Sequence, residues 1–406
     1  MADRKPKRVL TVLISIFSLI IVGISLTPIL FPGLITANVG FQEYSNQFEF
    51  GSNTALLLVG NITMITFGVL SYKKKLPNFI QTPITKFLKK NISNKITVIL
   101  LLAILIPYIG FTTPELFLDE YEQAADYEIF LTAKEIFPFG QTTSVEAVEQ
   151  NDRYVRMILL LTSLDIFGNV KIIPFLGSIA LLLTTFFLTR QLTKNNNIAG
   201  VVSMLILIQS YTFLRYDSFA MYENFWVLFY IISLYIIQKK WHLSSVSYIL
   251  SIFTKTFTAI FLPLSLVFVY YSNIKSKTKI LLVISYAVMF GVVVIIWNLD
   301  SSIYSSVIRF DISQLLIGFT KLSYQLRFDL LLIAALLPLT IALIIKARQG
   351  IHAAASVLFL ITGSIAAGPI VEIFSDFYVI LPYRFVPTIV FFAIGVGVLF
   401  NNKTSN

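Results

Sequence analysis

The stretch ITVILLLAILIPYIGFTTPELFLDEYEQAADYEIF, residues 96–130, puts two kinds of chain side by side. From Ile96 to Thr112 it is apolar and carries no charge. From Phe117 to Phe130 it carries Asp119, Glu120, Glu122, Asp126 and Glu128. An apolar run of about 20 residues, rising 1.5 Å per residue as a helix, crosses the hydrocarbon of a bilayer. The carboxylates that follow must meet water. The stretch therefore reads as a membrane helix opening into an acidic loop, and that reading decides the fold class.

The rest of the chain repeats the apolar half. Its 406 residues are 56% hydrophobic, with mean hydropathy +0.81. A soluble core of this size cannot hide so much apolar surface, so the chain reads as an all-α polytopic membrane protein. Apolar runs fall at 9–31, 54–72, 96–112, 168–190, 197–214, 222–238, 278–298, 328–346, 352–372 and 385–400. The segment 242–272 is interrupted by Thr254-Lys255-Thr256 and reads as two shorter helices, 243–254 and 256–272. The expectation is about twelve transmembrane helices. The first run is too long for the apolar core of a signal peptide and no small-residue cleavage site follows it, so it reads as a retained helix.

The net charge of +10 does not point to nucleic acid, because the basic residues form short clusters between apolar runs. Such clusters set orientation. With the N-terminus in the cytoplasm, most of the 31 lysines and arginines lie inside, whereas of the 21 carboxylates only Asp3 does. Both termini are then cytoplasmic, in a plasma membrane, with the acidic loops outside. Simple solvation of those loops and a chemical role for them both stay open. The basic 73–95 loop reads as a partly amphipathic segment on the inner leaflet. The expected division is an N-terminal two-helix hairpin with its basic loop, 1–95, and a membrane domain, 96–406. The absence of cysteine excludes disulfides and thiolate chemistry. His242 and His352 each stand near a basic cluster, so no histidine-rich metal site is available.

Four outer features carry candidate chemistry. In the first large loop, Ala125, Ile129, Ala133, Ile136 and Phe137 recur at helical spacing while Glu122, Asp126, Glu128 and Glu135 lie mostly on other faces. This predicts an amphipathic helix lying in the headgroup region and ended by Pro138 and Gly140, with Asp119 and Glu120 at its junction with the membrane helix. Glu122 and Asp126 read as solvation of the helix start, which also suits its dipole. Arg215, Asp217 and Glu223 crowd a short turn between apolar runs, where an ionisable group is costly unless paired or useful. An Arg215–Asp217 surface pair is the bland alternative. Lys255 stands between two apolar half-segments, where it can snorkel or face an anion. Tyr383-Arg384 opens the last helix; Arg suits bidentate phosphate binding, and an interfacial anchor role stays open.

The order of these features across residues 96–400 resembles that of the C-type (GT-C) glycosyltransferases, especially the branch of protein O-mannosyltransferases and aminoarabinose transferases. The order is Asp119-Glu120, a juxtamembrane helix, a basic inner turn, Arg215 to Glu223, Thr254-Lys255, and Pro382-Tyr383-Arg384-Phe385. The resemblance implies a sugar donor on polyprenyl (dolichyl) phosphate and a protein, lipid or glycan acceptor hydroxyl. It makes Asp119 the general base beside Glu120, gives Glu223 a site-shaping role that in some members approaches a divalent metal, and makes Lys255 and Arg384 donor-phosphate contacts. Arg215 matches a less constant arginine. Any metal at Asp119 and Glu223 would be Mg²⁺ or Mn²⁺, given oxygen ligands. Members often open the helix after the large loop with Arg, where this chain has Lys171. The runs at 9–31 and 54–72 lie outside the resemblance. A transporter or lipid flippase, and a non-catalytic scaffold on the same architecture, are the other readings; charges at helix mouths rather than mid-span favour the enzyme.

Overall fold

The computed structural model describes residues 4–34, 48–120, 124, 126–138, 140, 144, 147, 150, 153–299, 310–374 and 381–401. Most of these residues are helical, with no strand among them. In chain order the helices are α1 (Arg4–Leu30), α2 (Thr54–Tyr72), α3 (Asn78–Lys89), α4 (Asn94–Thr112), α5 (Asp126–Ile136) and α6 (Tyr154–Phe167). Next come α7 (Ile172–Leu192), α8 (Asn197–Ile208), α9 (Tyr211–Tyr216), α10 (Phe225–Ile236), α11 (His242–Thr254) and α12 (Leu262–Tyr271). The chain continues through α13 (Ser276–Leu299), α14 (Gln314–Leu326), α15 (Leu330–Arg348), α16 (His352–Glu372) and α17 (Val386–Val398).

Among the described residues, seven helices are long and apolar enough to cross a bilayer: Lys7–Leu30, Thr54–Tyr72, Asn94–Phe117, Ile172–Leu192, Ser276–Ile296, Leu330–Arg348 and His352–Glu372. The chain is thus a helical integral membrane protein. The other expected spans are shorter apolar helices, among them Asn197–Ile208, Phe225–Ile236, Thr256–Tyr271 and Pro382–Val398.

Local sequence sets several boundaries. The Asn196 side chain accepts from the backbone N–H of Ile198 (3.0 Å) and Ala199 (3.3 Å), capping α8. Asp329 caps α15 by accepting from Leu332 N–H (3.3 Å). Gly168 ends α6 at φ +65°, a left-handed turn that a side chain would disfavour. The expected break at Lys255 is present. α11 stops at Thr254, Lys255 is extended (φ −150°, ψ 114°), and a 3₁₀ turn, Thr256–Phe261, leads into α12.

The chain divides into two compact units. The first comprises Met1–Thr97, Thr189–Thr212 and Val307–Asn406. Here α1 packs on α14, α15 and α16, and α2 lies along α15. Gly60 allows that approach, since a Cβ there would stand 2.9 Å from the Ala334 methyl. Asn61 Nδ2 donates across it to Ile333 O (2.8 Å). The N-terminal helices are therefore built into the bundle formed by the C-terminal ones. The second unit comprises Val98–Leu188 and Phe213–Ser306, with α10 packed on α11, and α11 on α6 and α13.

Two helices lie where the sequence suggests loop. Residues 154–167 fall between the expected spans 96–112 and 168–190, and residues 314–326 between 278–298 and 328–346, yet both are helical. Neither reaches spanning length. The amphipathic helix expected after Asp119 is present as α5, but its apolar face is covered by protein. Phe130 and Ala133 are fully buried against Met157, Leu160, Phe219 and Met221, with Ile129, Ile136 and Phe137 packed on the same cluster. Intramolecular packing, rather than a lipid surface, takes that face. Glu122 and Ala125 lie outside the described residues.

Candidate active site

The second unit keeps an unusual amount of charge in its interior, gathered on the segment from Arg215 to Trp226. Membrane helix α4 runs into a 3₁₀ turn, Thr113–Phe117, and the chain leaves it at Asp119 and Glu120. Asp119 is exposed, whereas the next residue, Glu120, is 4% exposed. Glu120 Oε1 accepts from the backbone N–H groups of Ala220 and Met221, each at 3.0 Å. Its Oε2 lies 3.3 Å from Lys171 Nζ. Burial pushes the Glu120 carboxyl above the ordinary glutamate value; the Met221 N–H, the Lys171 ammonium and the Ala220 N–H act against that shift.

Lys171 opens α7, and it too is buried. Its ammonium donates to Leu118 O (2.8 Å) and Glu115 O (3.3 Å). Two carbonyls and a carboxylate match the three donors of an ammonium. Lys171 thus ties the end of the α4 turn to the start of α7. Asn169 adds a second tie, donating to Leu116 O (2.8 Å).

A second buried pair holds the other end of the segment. Arg156 of α6 is 1% exposed, and its Nε lies 2.9 Å from Glu223 Oε2. Its other nitrogens donate to the Gln150 side chain, to Met221 O (3.2 Å) and to Met221 Sδ (3.5 Å). Charges this deep persist only when paired and hydrogen-bonded.

Asp217 is the third buried carboxylate of this unit, and the alternative reading as a surface pair with Arg215 does not describe it. It turns inward, accepting from Thr112 Oγ1 (3.3 Å), while its backbone carbonyl accepts from Ser178 Oγ (2.7 Å). Ser178 in turn accepts from Asn224 Nδ2 (3.1 Å). Burial first, and then the nearby Glu115 carboxylate, push Asp217 up to about 7, against the hydrogen bond from Thr112.

Arg215 is exposed, with its guanidinium 5.3 Å from the Phe219 ring centroid; Lys171 Nζ is 5.9 Å from the same centroid. Lys255 is 8% exposed, and its Nζ lies 5.6 Å from the centroid of Trp226, near the start of α10. Asp119, Glu120, Arg215, Glu223 and Lys255 are thus all tied to the one segment 215–226, Asp119 through its neighbour. Tyr383 and Arg384 belong to the first unit, on the 3₁₀ turn Pro382–Phe385. Tyr383 is buried and Arg384 half-buried, its guanidinium 5.7 Å from the Tyr383 centroid.

A divalent cation does not fit the Asp119 and Glu223 pair as arranged. Glu223 is engaged by Arg156, and the described residues gather no group of three or more His, Asp or Glu side chains. Sequence reasoning missed Arg156 altogether and assigned no role to Lys171. The one available signal for Arg156 was a charge directly before the apolar string MILLLTSL.

No protein-family model, curated protein or solved structure matches the chain.

Proposed function

We propose that the protein is an integral-membrane glycosyltransferase of the GT-C kind, moving a sugar from a polyprenyl (dolichyl) phosphate to an acceptor hydroxyl on the extracytoplasmic face. In this reading the shorter apolar helices bring the crossings to about twelve. The supporting observation is the mounting of Asp119. It is an exposed carboxylate whose neighbour, Glu120, is fixed by two backbone N–H groups and a buried ammonium. A base must be held in place to work, and this clamp holds one at the end of a membrane helix.

The acceptor oxygen forms a bond to the anomeric carbon while the bond from that carbon to the phosphate oxygen breaks. The electron pair leaves with polyprenyl phosphate, and the hydroxyl proton goes to Asp119. One displacement inverts the anomeric centre. Lys255, on the same unit as Asp119, would meet the charge that grows on the leaving phosphate. Glu120, Lys171, Arg156 and Glu223 position the segment and touch no reacting atom. The donor's tail requires a protein that lives in lipid, and the chain is one.

The test offers polyprenyl-phosphate mannose and other polyprenyl-phosphate sugars to membranes holding the protein, and follows sugar transferred and polyprenyl phosphate released. Transfer by the wild type, lost in Asp119→Asn, supports the reading. Lipid or solute crossing the bilayer with no sugar transferred would favour the transporter reading instead.

A further inference from the structure

The first unit contains a cavity that the sugar chemistry does not use. Its volume is about 740 Å³, within the range of roughly 300–1,000 Å³ typical of ligand pockets. Met64 and Phe67 of α2, Leu339 and Ala342 of α15, and Phe392 and Val396 of α17 give it apolar walls. Apart from Thr63, its polar lining gathers at one end. Helices α2 and α15 run the same way, because Asn61 meets Ile333 and, farther along both, Ser71, Tyr72 and Lys346 line the same cavity. Lys73, Lys74 and Lys75, all exposed, follow directly after Tyr72. Lys346 Nζ uses one of its three donors on Asn401 O (3.1 Å). Leu88 of α3 closes the same end, and α3 is tied there by Gln81 Nε2 donating to Ser71 O (3.2 Å). That helix carries Lys86 and Lys89, and its Phe79 is 78% exposed, as on a segment lying against lipid.

We propose that this groove holds an acyl chain of an anionic phospholipid, with the lipid phosphate met by Lys346 and the Lys73–Lys75 turn. The apolar walls match a hydrocarbon chain, and the basic cluster stands at one end only, as a phospholipid requires. A zwitterionic lipid fits the walls equally well but offers the lysines no net charge. The proposal needs only that the protein lies in a bilayer, so it stands whether or not sugar transfer is found.

The full chain is reconstituted in nanodiscs of equal phosphatidylglycerol and phosphatidylcholine, and the lipid kept by the protein is weighed by native mass spectrometry. The wild type should retain phosphatidylglycerol over phosphatidylcholine by roughly fivefold for each lysine engaged. The K73Q/K74Q/K75Q variant should bring the two lipids toward parity without changing the total. Gly68→Phe should lower retention of both; a Cβ at Gly68 meets nothing within 4 Å, so the ring enters the groove rather than the backbone. Ala342→Phe tests the same wall from α15 should the first variant fail to fold. Glycerol 3-phosphate added in excess should leave the bound lipid in place. Parity in the wild type, retention unchanged in the groove-filling variants, or displacement by glycerol 3-phosphate would each overturn the proposal.

Discussion

The surroundings of segment 215–226 in the second unit and the groove of the first handle charge in opposite ways, although the first unit too buries Asp329 and Glu372 elsewhere. Around that segment, Glu120, Arg156, Lys171, Asp217 and Glu223 are each buried, and the ionic partners cross between elements far apart in the chain. Around the groove of the first, the lysines of the 73–75 turn stand exposed at helix ends. An exposed lysine costs little and holds little in place. A buried pair costs desolvation on both sides and then resists any movement that would separate it. The difference teaches where rigidity is concentrated: on the segment 215–226 and on the exit of α4 that carries Asp119.

Breaking one buried pair should give the largest effect. Arg156→Ala leaves the Glu223 carboxylate buried without its ion-pair partner, and should cost about 3–5 kcal/mol. Thermal unfolding in detergent measures it, and Arg156→Met with Glu223→Gln should recover most of the loss. A full-sized loss in that double variant would mean that shape, rather than the orphaned charge, is at fault. Next, Phe130→Ala should cost about 3 kcal/mol, the usual scale for emptying a buried aromatic site. A near-zero cost would return α5 to the membrane surface.

The acidic interior also predicts a pH dependence. Asp217 is raised in the fold to about 7, so between the unfolded aspartate range and that value the folded state binds the extra proton. Stability from this group is therefore greatest at low pH and falls as pH rises toward 7. The raised Glu120 acts in the same direction. The melting temperature should drop between pH 5 and pH 7, and Asp217→Asn should flatten much of the slope. A melting temperature that rises over that window would contradict the burial of these groups. The smallest effect belongs to Arg215→Ala, whose exposed guanidinium touches only one face of the site; a change within about 0.5 kcal/mol is expected. A larger loss would place Arg215 among the structural clamps.

Much of the scaffold was legible in the sequence because spanning helices announce themselves by length and apolarity. The runs at 54–72 and 352–372 coincide with α2 and α16, and the break at Lys255 follows from a charged residue between two apolar halves. Helices α6 and α14 were hidden for the same reason, since 14 and 13 residues are too few to register as spans. The site was legible only in part. Asp119 and Glu120 stand out at the end of an apolar run. The Arg156–Glu223 pair, 67 residues apart, is made by tertiary packing and leaves no local pattern. The fate of the α5 apolar face was equally hidden, because spacing shows that a face exists and not what covers it.

In the proposed reaction Asp119 and Glu120, neighbours with the same chemistry, do different work. The most direct measurement is sugar transfer from polyprenyl-phosphate mannose, taken together with the melting temperature, for Asp119→Asn and Glu120→Gln. The account predicts that Asp119→Asn melts like the wild type and transfers about 10²–10⁴-fold more slowly, the span of general-base catalysis. It predicts that Glu120→Gln lowers the melting temperature and leaves measurable transfer in the folded fraction. Wild-type transfer by Asp119→Asn, under conditions where the wild type itself transfers, would contradict it.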